Sequence, residues 1–104
     1  MLIGVAKEGN TVCQHFGHCE SFAIYNTDTK EWKNVANPGH EPGVLPGFLA
    51  DLGATVVISG GMGKMAQDLF NGKGIQVFVG AQGTVEEVME TYLKGELKST
   101  GAIC

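Results

Sequence analysis

The sequence predicts an α/β domain in which a mixed five-stranded sheet carries three helices on its faces. The first half of the chain holds three short apolar or alternating runs separated by polar turns, which is typical of strands. The second half alternates apolar β-branched runs with segments of helical periodicity, which is typical of parallel strands joined by right-handed crossovers. The predicted element order is therefore β-β-β-α-β-α-β-α.

The first three strands are predicted from runs that end at polar turns. Residues 1–6 form an apolar run that stops at the turn cluster Lys7–Asn10, so we expect a buried strand there. Residues 21–26 alternate in side-chain type and are followed by the polar turn 27–30. Residues 31–36 then return as the third strand, which makes a hairpin.

The first helix and the fourth strand are predicted where the spacing of apolar residues changes. Residues 44–52 carry apolar side chains at helical spacing, Pro46 suits the first turn, and Gly53 suits the end of the helix. Residues 54–59 are a continuous β-branched run, which predicts a strand buried on both faces.

The last two helices are predicted from their apolar stripes and end signals. One helix follows the turn Gly60–Gly63 and ends at Gly72 and Gly74. Its stripe is expected to pack in the core and consists of Met62, Met65, Ala66, Leu69 and Phe70. Residues 75–79 form the fifth strand. Thr84 and Glu87 then form a capping box that opens a helix ending at Gly95.

Composition and charge exclude several classes of protein. The net charge is −4 and there is no Lys/Arg cluster, so a nucleic-acid partner is not expected. No apolar run reaches the roughly 18 residues of a membrane span, and the N-terminus lacks the pattern of a signal peptide. We therefore expect a single domain over 1–104, cytoplasmic, monomeric or a weak homo-oligomer. The three cysteines are then thiols or metal ligands rather than a disulfide framework.

The segment CQHFGHCE is dense in metal-binding chemistry. Imidazole and thiolate are the side chains that hold transition metals and iron–sulfur units, which makes candidate ligands of Cys13, His15, His18 and Cys19. The spacing lacks a C-x-x-C pair, so a plain surface loop is the alternative interpretation.

A glycine turn gives a second candidate contact. Gly60, Gly61 and Gly63 lie between a strand and a helix, where backbone N–H groups can hold an anion. The turn is not a P-loop, because Ile58 stands in place of its first glycine. A tight structural turn is the alternative. Binding sites in open sheets lie beyond the carboxyl ends of parallel strands, so we expect the His15 loop and this turn to share one surface.

Three stretches together resemble one protein family. HFGHCESFAIY, FLADLGATVVISGGMG and GIQVFVGAQGTVEEVMETYLKGEL are similar to the dinitrogenase iron-molybdenum cofactor biosynthesis family, which includes NifX-like proteins. The resemblance implies a ribonuclease-H-like three-layer fold. It also implies non-catalytic carriage of an iron–sulfur or iron–molybdenum-type cluster, with cluster donor and acceptor proteins as partners. The match places His15 nearest the cofactor.

Three functional hypotheses follow. The first is a small metallocofactor carrier that uses the His15 loop. The second is a thiol or redox enzyme that uses Cys19, since a cysteine can be activated by its neighbours. The third is a regulatory interaction module without a metal.

Overall fold

The computed structural model describes residues 1–39 and 44–99, which form six strands, three α-helices and one 3₁₀ turn. The elements are β1 (Leu2–Glu8), β2 (Thr11–Val12), a 3₁₀ turn (Phe16–His18), β3 (Ser21–Asn26), β4 (Glu31–Ala36), α1 (Val44–Asp51), β5 (Ala54–Ile58), α2 (Lys64–Gly72), β6 (Gln76–Phe78) and α3 (Val85–Leu93).

The sheet is mixed, as predicted, but it has one strand more than the predicted five. Its main path runs β4-β3-β1-β5-β6, and β2 pairs with β1 beside that path. β1 is antiparallel to β3 and parallel to β5. The prediction missed β2 because two residues are too few to show a period. The same stretch holds the 3₁₀ turn, which was also not predicted.

The helices lie on both faces of the sheet. Leu49 of α1 and Phe70 of α2 belong to one buried cluster, together with Phe22 of β3. Val88 of α3 belongs to a second cluster, together with Ile3 of β1. Side chains alternate between the faces of a strand, so β1, β3 and β5 each contribute to both clusters. The result is three layers with two apolar interfaces.

The predicted apolar stripe of α2 is only partly buried. Met62 and Phe70 are fully buried, but Met65 is 65% exposed and Leu69 is exposed as well. The helix begins at Lys64, so Met62 belongs to the turn before it. Met65 lies about 140° around the axis from Phe70, which turns its side chain to solvent. None of the helices within the described ranges is long and apolar enough to cross a membrane.

Candidate functional site

A buried phenylalanine anchors the candidate loop. Phe16 opens the 3₁₀ turn and is 3% exposed. Its ring lies 5.6 Å from that of Phe22 on β3 and 5.5 Å from that of Phe70 on α2, centroid to centroid. Such tilted and edge-on aromatic pairs add about 0.5–1.5 kcal/mol each beyond burial. The loop is therefore fixed to both the sheet and α2.

Backbone hydrogen bonds join this loop to the glycine turn. The N–H of Phe16 donates to the carbonyl of Gly61 at 3.0 Å, and the N–H of Gly60 donates to the carbonyl of Cys13 at 2.9 Å. The buried hydroxyl of Ser59 reaches the same two carbonyls, at 3.0 Å for Gly61 and 3.4 Å for Cys13. The prediction that the loop and the turn share one surface is confirmed.

Gly60 lies close to the side chain of Gln14. A Cβ built on Gly60 would lie 2.5 Å from the carboxamide of Gln14. That carboxamide is held in place because its Nε2 donates to the carbonyls of Val12 and Ala81, each at 3.3 Å. Any larger residue at position 60 would displace Gln14 from the junction of loop and turn.

The start of α2 has unpaired backbone donors. Among residues 1–39 and 44–99, no acceptor lies on the N–H groups of Gly61, Met62 and Gly63. Gly61 and Met62 are buried, and buried N–H groups without a partner are rare in proteins. Gly63 is the N-cap of α2 and makes no side-chain hydrogen bond to the helix. The first turn of α2 has no acidic residue. No side chain of the N-cap or the first turn therefore neutralises the positive end of the helix dipole.

The two cysteines of the loop point into the core. Cys13 and Cys19 are each 2% exposed. Burial, and then the neighbouring Cys13, raises the pKa of the Cys19 thiol to about 12. Asn37 donates from Nδ2 to the carbonyl of Cys19 at 2.8 Å, while the thiol of Cys13 donates to the carbonyl of His15 at 3.2 Å. The Cys19 side chain is therefore a protonated thiol at neutral pH in this arrangement.

The four predicted metal ligands do not form one ligand set here. His15 and His18 are exposed, whereas Cys13 and Cys19 face inward. Within the part of the chain that the structure describes, no group of three or more His, Cys, Asp or Glu side chains could hold a metal ion. The anchoring of Phe16 is the physical reason, since it fixes the loop with its cysteines on the core side. His40 and Cys104 lie outside the described residues.

The residues present fit an anionic group better than a thiolate-ligated one. Orphaned N–H groups at a helix start suit a negatively charged ligand, and an exposed imidazole lies in the adjoining loop. A cluster held by Cys19 would require a deprotonated thiolate, which its burial opposes. Sequence reasoning missed the residues that build this junction, namely Gln14, Asn37, Ser59 and Gln67.

The fold and this junction define a small α/β protein in which the turn between β5 and α2 adjoins the loop after β2. Residues 1–95 match the model of the dinitrogenase iron-molybdenum cofactor family, and the chain belongs to that family.

Relatives with related sequences or folds cover nearly the whole chain. An uncharacterized protein of Methanocaldococcus jannaschii is 28% identical, over 94% of this chain and 90% of its own. The crystal structure of PH0822 superposes with a TM-score of 0.88 at 31% identity, over 97% of this chain and 96% of that one. The apo form of the orange protein from Desulfovibrio gigas is alike in fold. It superposes with a TM-score of 0.85 at 23% identity, over 97% of this chain and 93% of that one.

Proposed function

We propose that this protein is a small non-catalytic carrier for an iron–sulfur or iron–molybdenum-type cluster, or for a precursor of one. The cluster would bind where the His15 loop meets the Gly60–Gly63 turn. The observation that carries the proposal is the set of N–H groups at residues 61–63, which have no acceptor within the described part of the chain. Backbone hydrogen bonds join this turn to the loop that bears an exposed imidazole. Membership of the iron-molybdenum cofactor family supports it.

The residues divide the work of binding by their chemistry. The N–H groups of Gly61 and Gly63 would donate to a negatively charged cluster, and hydrogen bonds to cluster sulfur are a known means of tuning such groups. His15, just before the 3₁₀ turn, would supply one imidazole ligand, and His18, the last residue of that turn, a second. The remaining ligands would arrive with the cluster, which suits a protein that passes its cargo to a partner.

The proposed setting is cytoplasmic, with cluster donor and acceptor proteins as partners. Met65 is 65% exposed in the first turn of α2, directly after the glycine turn. A flexible apolar side chain at the border of a site suits transient contact with different surfaces. The helices on both sheet faces agree with the ribonuclease-H-like arrangement that the family resemblance implies.

The test compares two histidines. His15→Ala should lower bound iron per chain by about 10-fold or more, the scale of losing support around a metal. His40→Ala serves as the control and should bind like the wild type. The measurement is iron content after anaerobic reconstitution with ferrous iron and sulfide. His15→Ala should unfold within about 0.5 kcal/mol of the wild type, as exposed substitutions do. Equal iron content in all three proteins would remove His15 from the site.

The alternative of a thiol enzyme predicts a reactive Cys19. With a pKa raised to about 12, this thiol should resist iodoacetamide at pH 7.5 in the folded protein. Peptide mapping by mass spectrometry should find Cys19 labelled only after unfolding in guanidinium chloride. Rapid labelling of Cys19 in the native protein would instead favour the enzyme over the carrier.

A further inference from the structure

We infer that the outer edge of β4 is a self-association surface, at which two copies of this chain pair as antiparallel strands and join their sheets. The inference goes beyond the carrier function and does not depend on it. β4 ends the main path of the sheet, and among residues 1–39 and 44–99 no other strand pairs with its outer edge. An uncovered strand edge presents a row of backbone donors and acceptors that a further strand can bind.

The pairing of β4 with β3 shows which backbone groups face outward. The two strands pair along the whole of β4 without a shift of register. Directly after β4, the N–H of Asn37 donates to the carbonyl of Glu20 at 3.3 Å and so points to the β3 side. Backbone groups of successive residues in an antiparallel strand turn alternately to its two sides. The N–H and C=O groups of Trp32 and Asn34 therefore point away from β3.

The charged side chains of β4 select one register for this pairing. A two-fold axis at Trp32 places Glu31 directly opposite Lys33 of the partner subunit, and Lys33 opposite the partner's Glu31. The smallest slip that keeps the outward groups matched is two residues. In one direction it sets Glu31 against the partner's Glu31, and in the other Lys33 against the partner's Lys33. Opposite charges across a strand pair stabilise it and like charges destabilise it, so the register centred on Trp32 is flanked by two repulsive ones.

The same register extends an aromatic row. Trp32 is exposed and lies directly across from Tyr25 of β3, on the sheet face that packs against α3. The two-fold axis places the partner's Trp32 directly across on the other side. The aromatic pair of one subunit then meets that of the other in a single row across four strands. Aromatic side chains are enriched at protein interfaces, and aromatic pairs across strands stabilise sheets.

The helices leave room for the second copy on both faces of β4. On the α1 side, a groove of about 430 Å³ reaches β4 and is lined by Ile24, Val35 and Leu52, among others. On the α3 side, a groove of about 330 Å³ lies between β4 and the helix and is lined by Met89 and Leu93, among others. A second strand therefore reaches the edge without meeting a helix. Because β4 has only six residues, the interface is small and the dimer is weak and reversible.

This dimer keeps both candidate sites open. The His15 loop leads into β3 at Ser21, which pairs with Ala36 at the end of β4 away from the hairpin. Because the two copies of β4 run antiparallel about Trp32, their His15 loops lie at opposite ends of the new strand pair. Each subunit would therefore load its own cargo independently.

The test reverses the charges of β4 and measures the dimer dissociation constant by sedimentation equilibrium. By symmetry, each substitution acts twice in the dimer. Lys33→Glu turns both attractive pairs into repulsive ones and should raise the dissociation constant about tenfold or more. The double variant Glu31→Lys, Lys33→Glu exchanges the charges and should dimerise like the wild type. Lys98→Glu is the matched control, because it makes the same change of charge at an exposed position outside β4 and should leave the constant unchanged.

Amide hydrogen exchange then identifies the edge that pairs. The N–H of Trp32 faces outward, so its exchange should slow as the protein concentration rises through the dissociation constant. The N–H of Lys33 faces β3 and should exchange at the same rate throughout. A wild type that stays monomeric, or a double variant as weak as Lys33→Glu, would overturn the inference. So would a dimer in which the exchange of Trp32 does not depend on concentration, because its interface would lie elsewhere.

Discussion

The helices α2 and α3 both begin just after a parallel strand and a glycine-containing turn, yet their first turns differ. At α3 the hydroxyl of Thr84 accepts the N–H of Glu87, and the carboxylate of Glu87 accepts the N–H of Thr84, each at 3.1 Å. Glu86 and Glu87 also place negative charge in the first turn. At α2 the N-cap is Gly63, with no side-chain cap and no acidic residue in the first turn.

The difference shows that the start of α2 is left open although the chain can close such a start. A side-chain N-cap stabilises a helix by about 0.5–2 kcal/mol relative to alanine, and the chain uses one at α3. The first-turn N–H groups of α2 lack such a side-chain cap, which costs stability that a single substitution could recover. We interpret them as donors kept for a ligand, and the following predictions test that interpretation.

The largest expected effect comes from giving α2 a negatively charged N-cap. Gly63 has φ −63° and ψ 151°, and a Cβ at this position meets nothing within 4 Å, so Gly63→Asp fits the backbone. The carboxylate should cap α2 and raise stability by about a few tenths of a kcal/mol relative to glycine. The carboxylate should also repel an anionic cluster. This repulsion should cost at least as much binding energy as the loss of one hydrogen bond to a charged group, so bound iron per chain should fall by about tenfold or more.

Gly63→Ala is the control for that experiment, because it adds a methyl group without adding charge. Iron content after anaerobic reconstitution and the urea midpoint are measured for both variants. If Gly63→Asp takes up as much iron as Gly63→Ala, the open start of α2 is not where the cluster binds.

A smaller effect is expected from removing the side-chain N-cap of α3. Thr84→Ala should lower the free energy of unfolding by about 1 kcal/mol, since it removes the hydroxyl side of the capping box. Thr84→Ser keeps the hydroxyl and should recover most of the loss. Urea denaturation measures both variants. Iron uptake should be unchanged in each, and a loss as large as that of Gly63→Asp would show that the two helix starts do not differ in function.

The smallest effect is a pH dependence at α3. Hydrogen bonds from the backbone and the hydroxyl of Thr84 lower the pKa of Glu87 below its usual 4.5. A lowered pKa means that the charged form stabilises the fold. This contribution is complete above pH 4.5 and is lost as the pH falls through the lowered value. Glu87→Gln should therefore flatten the fall of stability between pH 6 and pH 3. Glu86→Gln, which removes a carboxylate outside the box, should leave more of that slope in place.

Most of the fold could be predicted because its signals are local. The bounds of β3 and β4 agree with the runs 21–26 and 31–36, and the capping box of Thr84 and Glu87 was read from a spacing of three residues. Periodicity failed for β2, which is very short. It also failed for part of α2, because the helix begins at Lys64 and the face that it buries differs from the predicted stripe. The exposure of Met65 depends on that start and on the limited surface that α2 covers.

The site was predictable only in outline. The topology rule for parallel sheets placed the loop beside the glycine turn, which the bonds of Phe16 and Gly60 confirm. The inward orientation of Cys13 and Cys19 follows from the anchoring of Phe16 between two distant aromatic rings, and no local pattern encodes it. The side chains of Gln14 and Gln67 donate hydrogen bonds to backbone carbonyls, contacts for which the sequence carries no signal.

The single tryptophan gives the protein a built-in optical reporter. Trp32 lies on the edge strand β4 and is 43% exposed, and its ring packs against that of Tyr25 in a tilted arrangement at 4.8 Å between ring centroids. Tyr25 is near the hairpin end of β3, whereas the His15 loop leads into that strand at Ser21. A coloured cluster bound near the loop would thus lie at the other end of the strand from the indole. Loading would quench the emission of Trp32 by resonance energy transfer, so cofactor delivery could be followed in real time without a label.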